Sequence, residues 1–318
     1  FLINVLIGTG QMGVQMFFVA SAFTLCLSSS NRLGEKEHIK KFFLRRYFRI
    51  APIYYLGILT YFIVNLIDSK LKTGYFTIAE QYTIENILKN VFFVNGVFKD
   101  GTTSVVPGGW SIGTEMIFYF IFPFLFSFCN KHLNSFKNIF LFILTGLGIS
   151  FCFLLLMNGA GQSIANNSFA YFNIFNQISV FFVGIAYFFI TKYNMYSFKE
   201  NINNLLLFLL FFCLAKIVWH IKNDLVMSIV PFLFAVSFAF LFEFFKYNNK
   251  ANAKWLVNIG KASYTLYITH FIFATFLTFY INQYLQSNSV LLFVILYIFN
   301  VTLSYLFQKY TFKYFEQW

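Results

Sequence analysis

Three short stretches place chemically active residue types at spacings that share a helical face. In Val106-Pro-Gly-Gly-Trp-Ser-Ile-Gly-Thr-Glu115, Ser111 and Glu115 are four apart, and Tyr119 follows four later. A carboxylate within an apolar helix is costly unless it is paired or faces a wet cavity, which makes Glu115 a functional candidate by default. The plainer reading has Glu115 pairing with a cation to fix helix packing. In Gly260-Lys-Ala-Ser-Tyr-Thr-Leu-Tyr-Ile-Thr-His270, the hydroxyl of Ser263, the phenol of Tyr267 and the imidazole of His270 follow one stripe. A lone His in such a helix is ordinarily a packing residue. The third stretch runs from Glu37 to Pro52 and is basic. Its Ile39, Phe43, Tyr47 and Ile50 are expected on one face, and Lys41, Arg45 and Arg49 on another. That pattern suits an anchor on anionic lipid, or a site for a phosphorylated substrate gripped by bidentate Arg donors. Lys216, Trp219 and His220 form a weaker group, with Lys216 able to snorkel outward.

The elements carrying these residues are set by an apolar composition. Of 318 residues, 59% are hydrophobic and only 11% charged, where soluble domains carry about 25% charge. An ordinary soluble enzyme is excluded, because such a chain could not cover its core with polar surface. A polytopic, all-α membrane protein is the expectation. Cys26, Cys129, Cys152 and Cys213 are scattered through apolar runs and give neither metal-ligand spacing nor a disulfide framework. The net charge of +12 is split by apolar runs, so it does not form a surface for nucleic acid.

Nine segments are long and apolar enough to be read as transmembrane helices: 11–28, 51–67, 112–128, 138–157, 170–190, 202–221, 225–243, 263–281 and 290–308. Between them, residues 68–109 are too polar to span, although Ile84 to Val94 suits a short interfacial helix. With no linker of changed composition, one domain over 1–318 is expected. If the first segment runs inward, 17 of the 23 Lys and Arg fall in inner loops and five in outer loops. Cytoplasmic loops carry that excess, so the C-terminus is expected inside a cell membrane. An odd helix number starting at Phe1, which is no initiator Met, suggests a further helix upstream.

Taken together, the stretches resemble the acyltransferase 3 family of integral-membrane acyltransferases. Gly13-Val-Gln-Met-Phe-Phe-Val-Ala-Ser-Ala-Phe23 resembles that family's Gly-Val-Asp-Leu-Phe-Phe-Val-Leu-Ser-Gly-Phe stretch. Phe43-Leu-Arg-Arg-Tyr-Phe-Arg-Ile-Ala-Pro52 resembles its Arg-Arg-x-x-Arg-Ile-x-Pro block. Trp110-Ser-Ile-Gly-Thr-Glu115 and Ser263-Tyr-Thr-Leu-Tyr-Ile-Thr-His270 resemble its Trp-Ser-Leu-x-x-Glu and Ser-Tyr-x-x-Tyr-x-x-His blocks. The four occur in family order. Gln15 and Ala22 depart from the family's usual Asp and Gly.

The resemblance implies about ten membrane helices and transfer of an acyl group, commonly acetyl, from cytosolic acyl-CoA to a hydroxyl of an outward-facing carbohydrate or lipid-linked glycan. It implies a His in a first helix as the leading base, and nothing ahead of Gly13 supplies one, so a fragment inactive by itself is one expectation. Within this chain, Glu115 and His270 become the catalytic candidates. Arg46 and Arg49 become candidates for the CoA phosphates, and Trp110, Ser111, Ser263 and Tyr267 for lining the substrate cavity. Acyl-CoA serves as co-substrate, with no bound cofactor and no metal required. The rival reading is a transporter or flippase for a glycan or lipid intermediate, since buried polar residues on many helices suit both. A non-catalytic scaffold would not need these residues in family order.

Overall fold

A computed structural model describes residues 12–99, 105–161, 168–196, 201–221, 226–246, 254–273 and 289–315. Among the described residues, eleven α-helices and one 3-10 turn follow in chain order: α1 (Gly13–Ser30), α2 (His38–Thr73), α3 (Ile84–Val91), α4 (Gly109–His132), α5 (Phe136–Gly159), α6 (Phe169–Phe172), α7 (Ile174–Lys192), α8 (Asn201–His220), the 3-10 turn Val226–Ser228, α9 (Ile229–Lys246), α10 (Lys254–Phe271) and α11 (Ser289–Phe315). No strand occurs among the described residues. Helices suit this composition because hydrocarbon offers no partner for an exposed N–H or C=O.

Seven spans are long and apolar enough to cross a bilayer: α1, α2, α4, α5, α6 with α7, α8, and α9 with its preceding turn. They match the first seven expected segments. The expected spans at 263–281 and 290–308 coincide in part with α10 and α11. Helix α10 starts earlier than its apolar run, at Lys254, and takes in Asn258 and Lys261. The apolar stretch found in α11 is Val294–Leu306, and residues 274–288 lie outside the described part. The protein is thus a polytopic helical membrane protein with seven such helices among the described residues, and the expected 263–281 span lies partly outside them.

The chain forms two compact units, residues 1–38, 96–99 and 114–249 in one and residues 39–95, 100–113 and 250–318 in the other. In the first, α7 is the central helix, with 78% of its span buried. Phe181 of α7 stacks on Phe18 of α1 and Phe118 of α4, with ring centroids 4.5 and 3.9 Å away. Gly184 brings α7 so close to α1 that an added Cβ would lie 2.6 Å from the Val19 carbonyl oxygen and 2.7 Å from Ala22 Cβ. On the other side, Phe182 stacks on Phe142 of α5 at 4.1 Å, nearly parallel.

The second unit is built on α2, a single helix of 36 residues. At 1.5 Å per residue it is about 54 Å long, well beyond a hydrocarbon core of about 30 Å. The basic stretch and the apolar segment, read as two pieces in the sequence, are therefore one continuous helix that passes through Pro52. Its buried face also differs from the expected one: Phe42, Ile50, Tyr54 and Tyr61 are buried, while Ile39 and Tyr47 are exposed. The register is set downstream, where Tyr61 donates to the Ile268 carbonyl of α10 at 2.8 Å and Tyr54 donates to Asn90 of α3 at 2.7 Å. Helix α3 is the short helix expected near Ile84. It is capped by Thr83, whose hydroxyl accepts from the Asn86 N–H, and it leaves Ile84 and Leu88 exposed on one stripe.

Candidate functional site

In the first unit, α1 and α4 meet at a carboxylate. Glu115 is 1% exposed, and its Oε1 accepts from Ser21 Oγ at 2.5 Å and from the Tyr119 hydroxyl. Ser21 Oγ and Tyr119 Oη lie 3.4 Å apart, which closes a triangle of two hydroxyls on one carboxylate oxygen. Both of these Glu115 partners are hydroxyls. Ser21 was not among the residues singled out from the sequence. Its signal was its place within the Gly13–Phe23 stretch, where a lone hydroxyl sits among apolar residues.

A second polar group lies in the same unit, around Tyr171. Gln15 Nε2 donates to Gln177 Oε1 at 3.3 Å and to Tyr171 Oη at 3.4 Å, while Asn176 and Gln177 both donate to the Tyr171 carbonyl. Gln15 Oε1, Asn176 Oδ1 and Ser179 Oγ are buried and lack a hydrogen-bond partner. Such atoms are the places where a membrane protein takes up water or the polar groups of a ligand. Elsewhere in the unit, Glu243 accepts from Tyr187 at 2.8 Å and from Lys246 at 3.2 Å. His220 Nδ1 lies 2.7 Å from the Lys216 carbonyl and the ring is exposed, in keeping with a local, structural role.

In the second unit the centre is Tyr267. Its hydroxyl lies 2.8 Å from Ser111 Oγ and donates to the Gly108 carbonyl at 2.9 Å. Gly108 has φ +77, and a Cβ there would meet Tyr267 Oη at 2.8 Å, so both backbone shape and space demand glycine. This turn starts α4, with the Gly109 N–H on the Val106 carbonyl and the Ser111 N–H on the Gly108 carbonyl. Trp110 beside it is buried. His270 Nδ1 lies 2.5 Å from the Tyr267 carbonyl oxygen. A carbonyl can only accept, so Nδ1 is the donor in this contact. Ser263 is exposed and is not part of this network.

Ser111 bonds within the second unit, and Glu115 and Tyr119 within the first. On α2, Arg49 is exposed and Arg46 is half-buried, with its guanidinium 5.8 Å from the Phe42 ring centroid.

The profile of the acyltransferase 3 family, described as an acyltransferase domain, matches residues 1–309. The chain belongs to that family. Comparison with curated proteins and with solved structures gave no match. The four sequence blocks of this acyltransferase thus lie on α1, α2, the start of α4 and α10. They supply, in that order, Ser21, the basic end of α2, Glu115 and the Tyr267–His270 pair.

Proposed function

We propose that this membrane acyltransferase moves an acyl group, acetyl in the simplest case, from cytosolic acyl-CoA to a hydroxyl of an outward-facing glycan or lipid-linked sugar. The observation that carries the proposal is the buried Glu115 carboxylate with its two hydroxyl partners. Acyl transfer to an alcohol needs a group to take the hydroxyl proton and donors for the developing oxyanion. Glu115 suits the first need and orients the alcohol. His270, whose Nδ1 is engaged by the Tyr267 carbonyl, offers Nε2 as a second proton acceptor when the ring is neutral, with Ser111, Tyr267 and Trp110 as its companions. Arg46 and Arg49 suit the phosphates of the donor, because guanidinium forks pair with phosphate oxygens. The partnerless acceptors on Gln15 and Asn176 support a ligand rich in hydroxyl donors.

The charge bias of the loops favours a cell-membrane protein with its basic α2 end and its C-terminus on the cytoplasmic side. The test is transfer of labelled acetyl from acetyl-CoA into the lipid-linked and polysaccharide fractions of membranes that contain the protein. Transfer that depends on Glu115 supports the proposal. Transport of an unmodified glycan with no acetyl incorporated would favour the flippase reading instead.

A further inference from the structure

Ser21 brings a hydroxyl from α1 to the Glu115 carboxylate of α4. A serine inside a lipid-facing helix ordinarily turns its hydroxyl back onto a carbonyl of its own helix. Ser150 donates to Gly146 at 3.1 Å in this way, Ser237 to Phe234 at 2.8 Å, Thr60 to Leu56 at 2.8 Å and Thr145 to Leu141 at 2.9 Å. Ser21 does not. Its Oγ donates across to Glu115 Oε1 at 2.5 Å and lies 3.4 Å from Tyr119 Oη.

This is the arrangement of an activated nucleophile: a hydroxyl within hydrogen-bond reach of a proton acceptor that is itself held by a third group. Tyr119, one turn along α4 from Glu115, is that third group. The depth of Ser21 fits as well. It is the ninth residue of the 18 in α1, roughly 12 Å along the helix from Gly13 and so near the middle of the span.

We propose that Ser21 Oγ is a nucleophile that carries the acyl group as a serine ester between the thioester donor and the alcohol acceptor. The inference rests on the acyltransfer reading and adds a covalent step to it. Ser21 Oγ attacks the thioester carbonyl carbon while its proton passes to the Glu115 carboxylate. The C–S bond breaks with its electron pair on sulfur, and the thiolate takes the proton from Glu115 and leaves as the thiol. The acceptor hydroxyl then attacks the ester carbon and gives its proton to Glu115. That proton returns to Ser21 Oγ as the C–Oγ bond breaks. The sum is thioester plus alcohol giving ester plus thiol, with the enzyme restored. A donor on one face and an acceptor on the other then never need to meet, because the acyl group stops between them.

The test gives the intact protein, in membranes that carry its native acceptor, acetyl-CoA labelled in the acetyl group. Samples are quenched in acid and the peptides examined by mass spectrometry. The expected result is one acetyl ester on the peptide containing Ser21, formed before labelled glycan and lost as labelled glycan accumulates. Ser21→Ala should lose the label and slow transfer at least about a hundredfold. If Ser21→Ala fails to fold, Ser21→Cys decides: it should hold the acetyl group as a thioester that neutral hydroxylamine releases. Labelled glycan with no label on Ser21, or a folded Ser21→Ala protein that transfers at the wild-type rate, would overturn the serine ester and leave the acyltransfer reading standing. Label on neither protein nor glycan would overturn both.

Discussion

Glu115 receives two hydroxyl hydrogens on one oxygen, so its charge can be removed without changing its shape. Glu115→Gln should lower acyl transfer by roughly 10²–10⁴-fold with the thermal midpoint nearly unchanged, if the carboxylate takes a proton during the reaction. A loss of activity that tracks a loss of folded protein would return Glu115 to a packing role. At the other end of the reaction, Arg49→Ala should weaken acyl-CoA binding by more than Lys36→Ala. One lost charge-assisted contact is worth about 1.5–3 kcal/mol. Titration with acyl-CoA measures both, and equal small effects would return the basic end of α2 to a lipid anchor. Glu115, Tyr267 and His270 were legible in the sequence because titratable or bulky polar groups stand out in apolar helices. Ser21 was not, since a single hydroxyl between two alanines looks like any lipid-facing serine until its partner on another helix is known.

At the scale of the helix, tight approach rather than charge decides what can be changed. Gly184 meets the Val19 backbone carbonyl, which cannot step aside as a side chain can. Gly184→Ala should therefore destabilise the first unit by about 1–3 kcal/mol, read as a lower midpoint in detergent. Gly148, where an added Cβ meets nothing within 4 Å, is the control and should tolerate Ala. Helix positions were readable from runs of apolar residues, and the short Ile84–Val91 helix from its pattern. The buried face of α2 was not. Apolar residues lie on several of its sides, and in lipid an exposed Ile39 or Tyr47 costs nothing, so hydrophobicity no longer marks the inside.

For the whole molecule, the loop charges predict that the 158–169 segment lies outside and the C-terminus in the cytoplasm. Reporter fusions in the 158–169 loop should register outside and fusions at Trp318 inside, and the reverse pattern would sink that topology. The division into two compact units was not legible, because the sequence has no linker where they part: the boundary at Gly113 and Thr114 falls inside α4. The burial of α7 also bears on how the protein is made. Its Asn176, Gln177 and Ser179 are shielded by neighbouring helices rather than by their own apolarity, and its mean hydropathy is 1.8 against 2.6 for α5. Alone in a translocon, residues 169–192 should therefore enter the bilayer less efficiently than residues 136–159, as glycosylation mapping of single segments would measure. In the nascent chain this handicap is met by order of synthesis. Gln15 on α1, Thr114 on α4 and Ser150 on α5 bond to the 171–177 stretch, and all three are made before it. A helix that lipid would accept less readily than α5 thus emerges into a membrane that already holds the groups it needs.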